Sequence, residues 1–191
     1  LWFEGAVHIP YTETDKDGKE RKTEVGVVVG MDYSFPVMEG LIFAMQYYFN
    51  SPGFTDKADY PFNSTEGLIK MFAQNQNQGQ QQAVTGVGLS SGGFMAQHYL
   101  MLTGNLSINE DLGVSVLALM NLVDFSVMTG PSVRWTFLDD FSLSVGGYFF
   151  LGPEGSEYAP GKLKLPIAGV PDEGVALIPS IVLFTWLRYN F

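Results

Sequence analysis

Polar and apolar residues alternate with a period of two through eight segments of this chain: Leu1 to Tyr11, Thr23 to Phe35, Gly40 to Asn50, Phe94 to Ile108, Gly113 to Leu122, Val127 to Phe137, Ser142 to Leu151 and Val175 to Phe191. Successive side chains of a strand point to opposite faces, so this period predicts β-strands whose two faces differ. The connections alternate in length. Thr12 to Lys22 is a charged loop with a turn at Asp17-Gly18, Phe35-Pro36-Val37-Met38-Glu39 is tight, and Ser51 to Gly93 is very long. Asn109-Glu110-Asp111, Val123-Asp124-Phe125-Ser126 and Leu138-Asp139-Asp140-Phe141 are turns, and Gly152 to Gly174 is long again. The expected fold is all-β, an antiparallel up-and-down barrel forming a single domain over 1–191, with 51–93 and 152–174 as long loops.

One face of each segment is apolar or aromatic. It carries Phe3, Val7 and Ile9; Val25, Val27, Val29, Met31 and Tyr33; Leu41, Phe43, Met45, Tyr47 and Phe49; Val133, Trp135 and Phe137; and Ile181, Leu183, Leu187, Tyr189 and Phe191. The opposite face mixes small and polar residues such as Gly26, Gly30, Gln46, Thr103, Asn105, Ser115, Ser132, Ser142 and Ser144 with the bulky Trp2, Tyr48, Tyr99, Tyr148, Phe184 and Trp186. A soluble sandwich or lipocalin-like ligand-binding barrel also alternates, but its polar face meets water and carries many charges. Only 16% of this chain is charged, and most of that lies in the connections, so the strands better fit a transmembrane barrel with the apolar face toward lipid.

Composition narrows the reading. Hydrophobic residues reach 46%, yet no uninterrupted apolar run of about 18 residues exists, so any crossing of a bilayer falls to strands, which need only about 9–11 residues each. Aromatics at 14% are enough for interfacial girdles. The absence of cysteine removes disulfides and thiolate metal sites, and a formal charge of −10 argues against nucleic acid as a partner. With two histidines, no calcium-loop spacing and no Gly-rich phosphate loop, neither a cofactor nor an enzyme is expected. His98 is the only candidate for a catalytic base, and nothing near it in sequence marks a nucleophile.

The last segment ends in Tyr189-Asn190-Phe191. This resembles the closing strand of bacterial outer-membrane β-barrels, in which a terminal Phe preceded two residues earlier by Tyr is read by the insertion machinery. Asn121-Leu122-Val123-Asp124-Phe125-Ser126, Gly130-Pro131 and Gly152-Pro153-Glu154-Gly155-Ser156-Glu157 are similar to the last strands of larger porin-like members of that class. The resemblance implies residence in the bacterial outer membrane, with lipid and lipopolysaccharide around the barrel. It also implies contact with the insertion machinery through Tyr189 and Phe191, and leaves a homo-oligomer or a partner subunit open. Short connections then face the periplasm and long ones the exterior, the brief turn around Asp124 being the one departure. No signal peptide is visible, because Leu1 opens directly into a strand-like segment, and Leu1 is read either as the start of the mature form or as a point inside a longer protein. The chain is accordingly either a complete eight-stranded barrel or the C-terminal part of a wider one.

The expected function is a channel for small polar solutes, against a non-conducting barrel that serves as scaffold or partner-binding anchor. Glu4, Asp32, Arg134 and Arg188 fall on the inward face and form the candidate lumen charge network. Closure of eight strands would set Glu4 beside Arg188. These charges act either as a selectivity ring or simply as a network that satisfies the interior, since a lone buried ion costs several kcal/mol. Within the longest loop, Ser64 to Gln74 has helical spacing with Asn63 or Ser64 as cap, and the tract from Gln74 to Gln82 is rich in uncharged hydrogen-bonding groups. Lys70, Gln74, Asn75 and Gln76 are therefore the candidate loop constriction; the alternative is a solvated surface loop.

Overall fold

The chain was analysed as a computed structural model that describes residues 1–8, 24–64, 94–138, 141–163, 175–176 and 179–189. Alternating segments joined by short turns pair with their sequence neighbours, and eight strands do so here: β1 (Trp2–His8), β2 (Glu24–Phe35), β3 (Gly40–Asn50), β4 (His98–Ser107), β5 (Leu112–Asn121), β6 (Val127–Leu138), β7 (Phe141–Leu151) and, after the two-residue strands β8 (Lys162–Leu163) and β9 (Val175–Ala176), β10 (Ile181–Tyr189). Every pairing in the sheet β1-β2-β3-β4-β5-β6-β7-β10 is antiparallel, and β8 and β9 form a separate ladder. The fold is all-β and up-and-down. It is an open sheet: β1 and β10 are its two edges and do not touch. No described helix is long and apolar enough to cross a membrane.

Three boundaries differ from the sequence expectation. Phe94 to Gln97 leave the ladder of β4 and fold back, with Phe54 N–H donating to Met95 O and Gln97 N–H to Phe54 O. The last segment is not one strand. Val175 and Ala176 pair with Lys162 and Leu163 inside the expected loop, and Pro179, which has no N–H to give a ladder, separates them from β10. Between β6 and β7 the register shifts at Thr136/Leu138.

Register fixes the faces. Trp2, Gly30, Gln46, Met101, Leu119, Met128 and Phe150 follow one another across the ladders on one face. That mixed face carries every Asp, Glu and Arg described in the eight strands: Glu4, Glu24, Asp32, Arg134 and Arg188. The opposite face carries none, yet it is widely exposed. Phe3, Val7, Met31, Tyr33, Trp135, Val145, Ile181, Leu183 and Leu187 all lie open on it, Leu183 at 76%. Hydrophobic area of that extent without a charge is not a surface that water rewards. Aromatic rings gather at its two ends. Tyr33 and Phe35 pack 4.6 Å apart, and Trp135, Phe137, Phe141 and Tyr189 form a chain of ring contacts at the short-turn end. Tyr47, Phe49 and His98 gather at the other, long-loop end.

Candidate functional site

The mixed face is covered at one end and bare at the other. At the long-loop end Tyr99, Leu119, Met128 and Phe150 are buried under Ala96 and Tyr158, which the loops after β3 and β7 bring over them. Phe94 lies against Tyr48 and Tyr99, at 5.1 and 4.5 Å between ring centroids. Two 3-10 turns, Lys57–Asp59 and Pro61–Asn63, place the fully buried Tyr60 against Phe54 and Phe62.

The loops are fastened to the sheet by a buried polar knot. Asn121, the last residue of β5, has no exposed surface, and its Nδ2 donates to Tyr60 OH at 2.8 Å, Asp124 Oδ2 at 3.0 Å and Glu157 Oε2 at 2.8 Å. Its Oδ1 accepts from Val123 N–H at 2.8 Å. Asp124 accepts from Ser126 N–H at 2.7 Å and from Glu157 N–H at 2.7 Å. Tyr99 OH takes a hydrogen bond from Ala96 N–H at 2.7 Å and donates to Glu157 Oε2 at 2.5 Å. Asn63 Nδ2 adds a tie between the two long loops, donating to Gly155 O at 2.8 Å. Burial pushes the Glu157 carboxyl up, and the Asp124 carboxylate beside it acts in the same direction, while the hydrogen bonds from Tyr99, Met95 and Asn121 oppose this. Among the described residues no cation faces the two acids, and amide and hydroxyl donors hold them.

The short turn around Asp124, which stands among the long connections at this end of the sheet, is the post to which they are tied. Sequence reading missed this knot. Asn121, Asp124 and Glu157 are spread over two connections, and only the stretches Asn121 to Ser126 and Gly152 to Glu157, noted for their wording, pointed toward it.

At the short-turn end the same face is open. Arg134, Thr136, Ser142, Ser144, Phe184, Trp186 and Arg188 line a cavity of about 480 Å³. The register explains the grouping: Arg134 sits opposite Ser144, which sits opposite Trp186, and Thr136 opposite Ser142, which sits opposite Arg188. Arg134 and Arg188 thus flank β7 on one face. Gly146 makes room for the aromatic side of the cavity, since a Cβ there would stand 2.7 Å from Phe184 Cζ and 2.7 Å from Pro131 O. Tyr148 packs on Phe184 at 5.5 Å.

Of the four expected lumen charges, the structure brings together Arg134 and Arg188 only. Glu4 lies on β1 at the far edge of the sheet and does not meet Arg188, because the sheet is open. Asp32 lies on β2, four strands from β6. Lys70, Gln74, Asn75 and Gln76, the helix expected from Ser64 to Gln74, and Phe191 lie outside the described residues. Asn63 ends a 3-10 turn and ties loops rather than capping a described helix. Tyr189 ends β10 against the Phe141 ring. His98 stands on the apolar face, its Nδ1 2.6 Å from Tyr47 OH and its ring between Tyr47 and Phe49. Among the described residues no group of three or more His, Asp or Glu could hold a metal ion. Family models, curated proteins and solved structures yield no match to the chain.

Proposed function

We propose that this chain forms an integral β-barrel of the bacterial outer membrane and acts as a channel for small polar solutes. The observation that carries the reading is the division of the sheet: an exposed apolar face without a charge, banded by aromatic rings at both ends, backed by a face that holds every described strand charge. Lipid and lipopolysaccharide are the natural surroundings of the first face and a hydrated lumen of the second. A soluble lipocalin-like barrel would turn its apolar side inward, so the exposed valines, leucines and aromatics argue against it. In lipid the edges of β1 and β10 are both paired, because each unsatisfied backbone group there costs several kcal/mol. Either the two edges join each other or further strands complete the ring. Tyr189 and Phe191 are the residues for the insertion machinery to read.

A second reading, a non-conducting barrel that anchors a partner, is favoured by the loops packed over Tyr99, Leu119, Met128 and Phe150. One experiment separates them: the protein, purified in detergent, is inserted into a planar bilayer. Stepwise conductance that scales with salt supports the channel. Silence from protein that is folded by its heat-modifiable gel mobility overturns the channel and leaves the scaffold, and solubility without detergent overturns the membrane reading altogether.

A further inference from the structure

We infer that the Arg134–Arg188 cavity is a binding site for small carboxylates with an apolar body, an inference that rests on the channel reading and gives its solute a chemical class. The chain as a whole carries −10, and a pore governed by that total would favour cations. The cavity has the opposite sign. Two arginines line it, and neither has an ion-pair partner among the described residues. They stand two strands and two positions apart, about 12 Å between Cα atoms by sheet geometry, close enough for two long side chains to converge over Ser142 and Ser144 between them. A guanidinium presents a planar fork that matches a carboxylate in two parallel hydrogen bonds. The hydroxyls of Thr136, Ser142 and Ser144 add neutral donors around it.

The other side of the cavity is apolar. Trp186 is 70% exposed, and Phe184 and Tyr148 continue it away from the arginines as one aromatic slope. On the face that the channel reading makes aqueous, a bare indole beside two unpaired cations is unusual, and it is what a ligand with an anionic head and a flat apolar body would cover. Phosphate would satisfy the arginines but leave Trp186 in water, so a carboxylate with a ring or short chain fits better. The nearest acids in sequence, Asp139 and Asp140 of the β6–β7 turn, lie outside the described residues. If they neutralised the pair, cation preference would reveal it.

The test is the zero-current potential of the full chain in a planar bilayer under a potassium chloride gradient, followed by addition of benzoate or of benzyl alcohol as its uncharged counterpart. The expected result is chloride preference, with chloride current blocked by benzoate and not by benzyl alcohol. In the Arg134→Gln/Arg188→Gln double variant the potential moves toward potassium, and block requires roughly tenfold more benzoate for each arginine removed. Lys57→Gln, which removes a charge in the β3–β4 loop, leaves the preference in place and so excludes a net-charge effect. If the glutamine variants fail to show heat-modifiable mobility, Arg134→Lys/Arg188→Lys serves instead. It keeps chloride preference while weakening benzoate, since an ammonium has no planar fork.

Potassium preference in the wild type, or benzoate block unchanged in the double variant, overturns the inference while leaving the channel standing. Absence of any conductance overturns the channel. The site is then read by tryptophan fluorescence in detergent, where saturable quenching by benzoate that disappears in Trp186→Phe supports it and the lack of quenching overturns it.

Discussion

The two ends of the mixed face are built from similar strands and have opposite characters. At the long-loop end the acids Asp124 and Glu157 are buried with no cation beside them among the described residues, and amide and hydroxyl donors hold them. At the short-turn end the bases Arg134 and Arg188 are exposed with no acid paired to them among the described residues, and the aromatic Trp186 is uncovered. What separates them is connection length. The two- to four-residue connections at the short-turn end have no chain to spare and leave their end of the face bare, whereas the long ones fold back and need a fixed point to fold onto. Stability therefore concentrates where the loops are tied down, and the proposed solute site lies where the described residues leave the sheet uncovered.

The contrast breaks most severely at Asn121. Asn121→Leu keeps the volume and deletes the amide that bridges Tyr60, Asp124 and Glu157, leaving two buried carboxylates face to face. A loss of about 3 kcal/mol or more is expected in urea unfolding followed in detergent, with protease cleavage appearing first in the 51–64 and 152–163 loops. Arg134→Gln in the same assay should shift stability by less than about 0.5 kcal/mol, as befits an exposed side chain with no partner among the described residues. Equal effects at both positions would refute the division between the two ends.

Gly146→Val sits between them. The new branched side chain would collide with Pro131 O, Ser132 Cβ and the Phe184 ring, and a cost of about 1–3 kcal/mol is expected. Its signature is a displaced Phe184, and hence weaker benzoate block together with lower unfolding stability. A loss of stability with benzoate block intact would show that the aromatic slope is not part of the site.

The knot also sets a pH dependence. Burial raises the Glu157 carboxyl, so the folded protein holds that proton to higher pH than an unfolded chain does. The contribution to stability is full below the ordinary glutamate value of about 4.3 and declines as pH rises through the elevated one. Protease sensitivity of the 152–163 loop should accordingly grow from acid toward neutral and alkaline pH, and Glu157→Gln, which carries no titrating proton, should flatten that profile. Sensitivity that grows toward acid instead would mean that the donors around Glu157 outweigh its burial.

How much of this was legible follows from the range of each interaction. Alternation is local, so the strand positions, the division of faces and the placement of Arg134 and Arg188 on one face could be read from spacing alone. The knot could not, because Asn121, Glu157 and Tyr60 meet only after three connections converge, and no periodicity relates them. The pairing of Glu4 with Arg188 is not formed in the open sheet: it requires the edges to meet, and strand count by itself does not say whether they do. Pro179 was visible in sequence as a ladder breaker. The alternation on either side of it was continuous enough to mask the break.

A small gain rather than a loss is expected at two residues held in the left-handed region, one at each end. Phe125, at φ 59 in the turn that carries the knot, is 71% exposed; Met38, at φ 55 in the β2–β3 turn, is 66% exposed. Neither side chain is buried, and for each the left-handed backbone costs a non-glycine residue about 1–2 kcal/mol. Replacement by glycine removes that strain but adds freedom to the unfolded chain, so Phe125→Gly and Met38→Gly should each gain at most about 1 kcal/mol in urea unfolding. If strain is the only term, the two gains match despite the unlike surroundings. A gain at Met38 with a loss at Phe125 would show that the Phe125 ring, standing out from the tied end, makes a stabilising contact beyond the described residues, and the long-loop end would then extend past the knot itself.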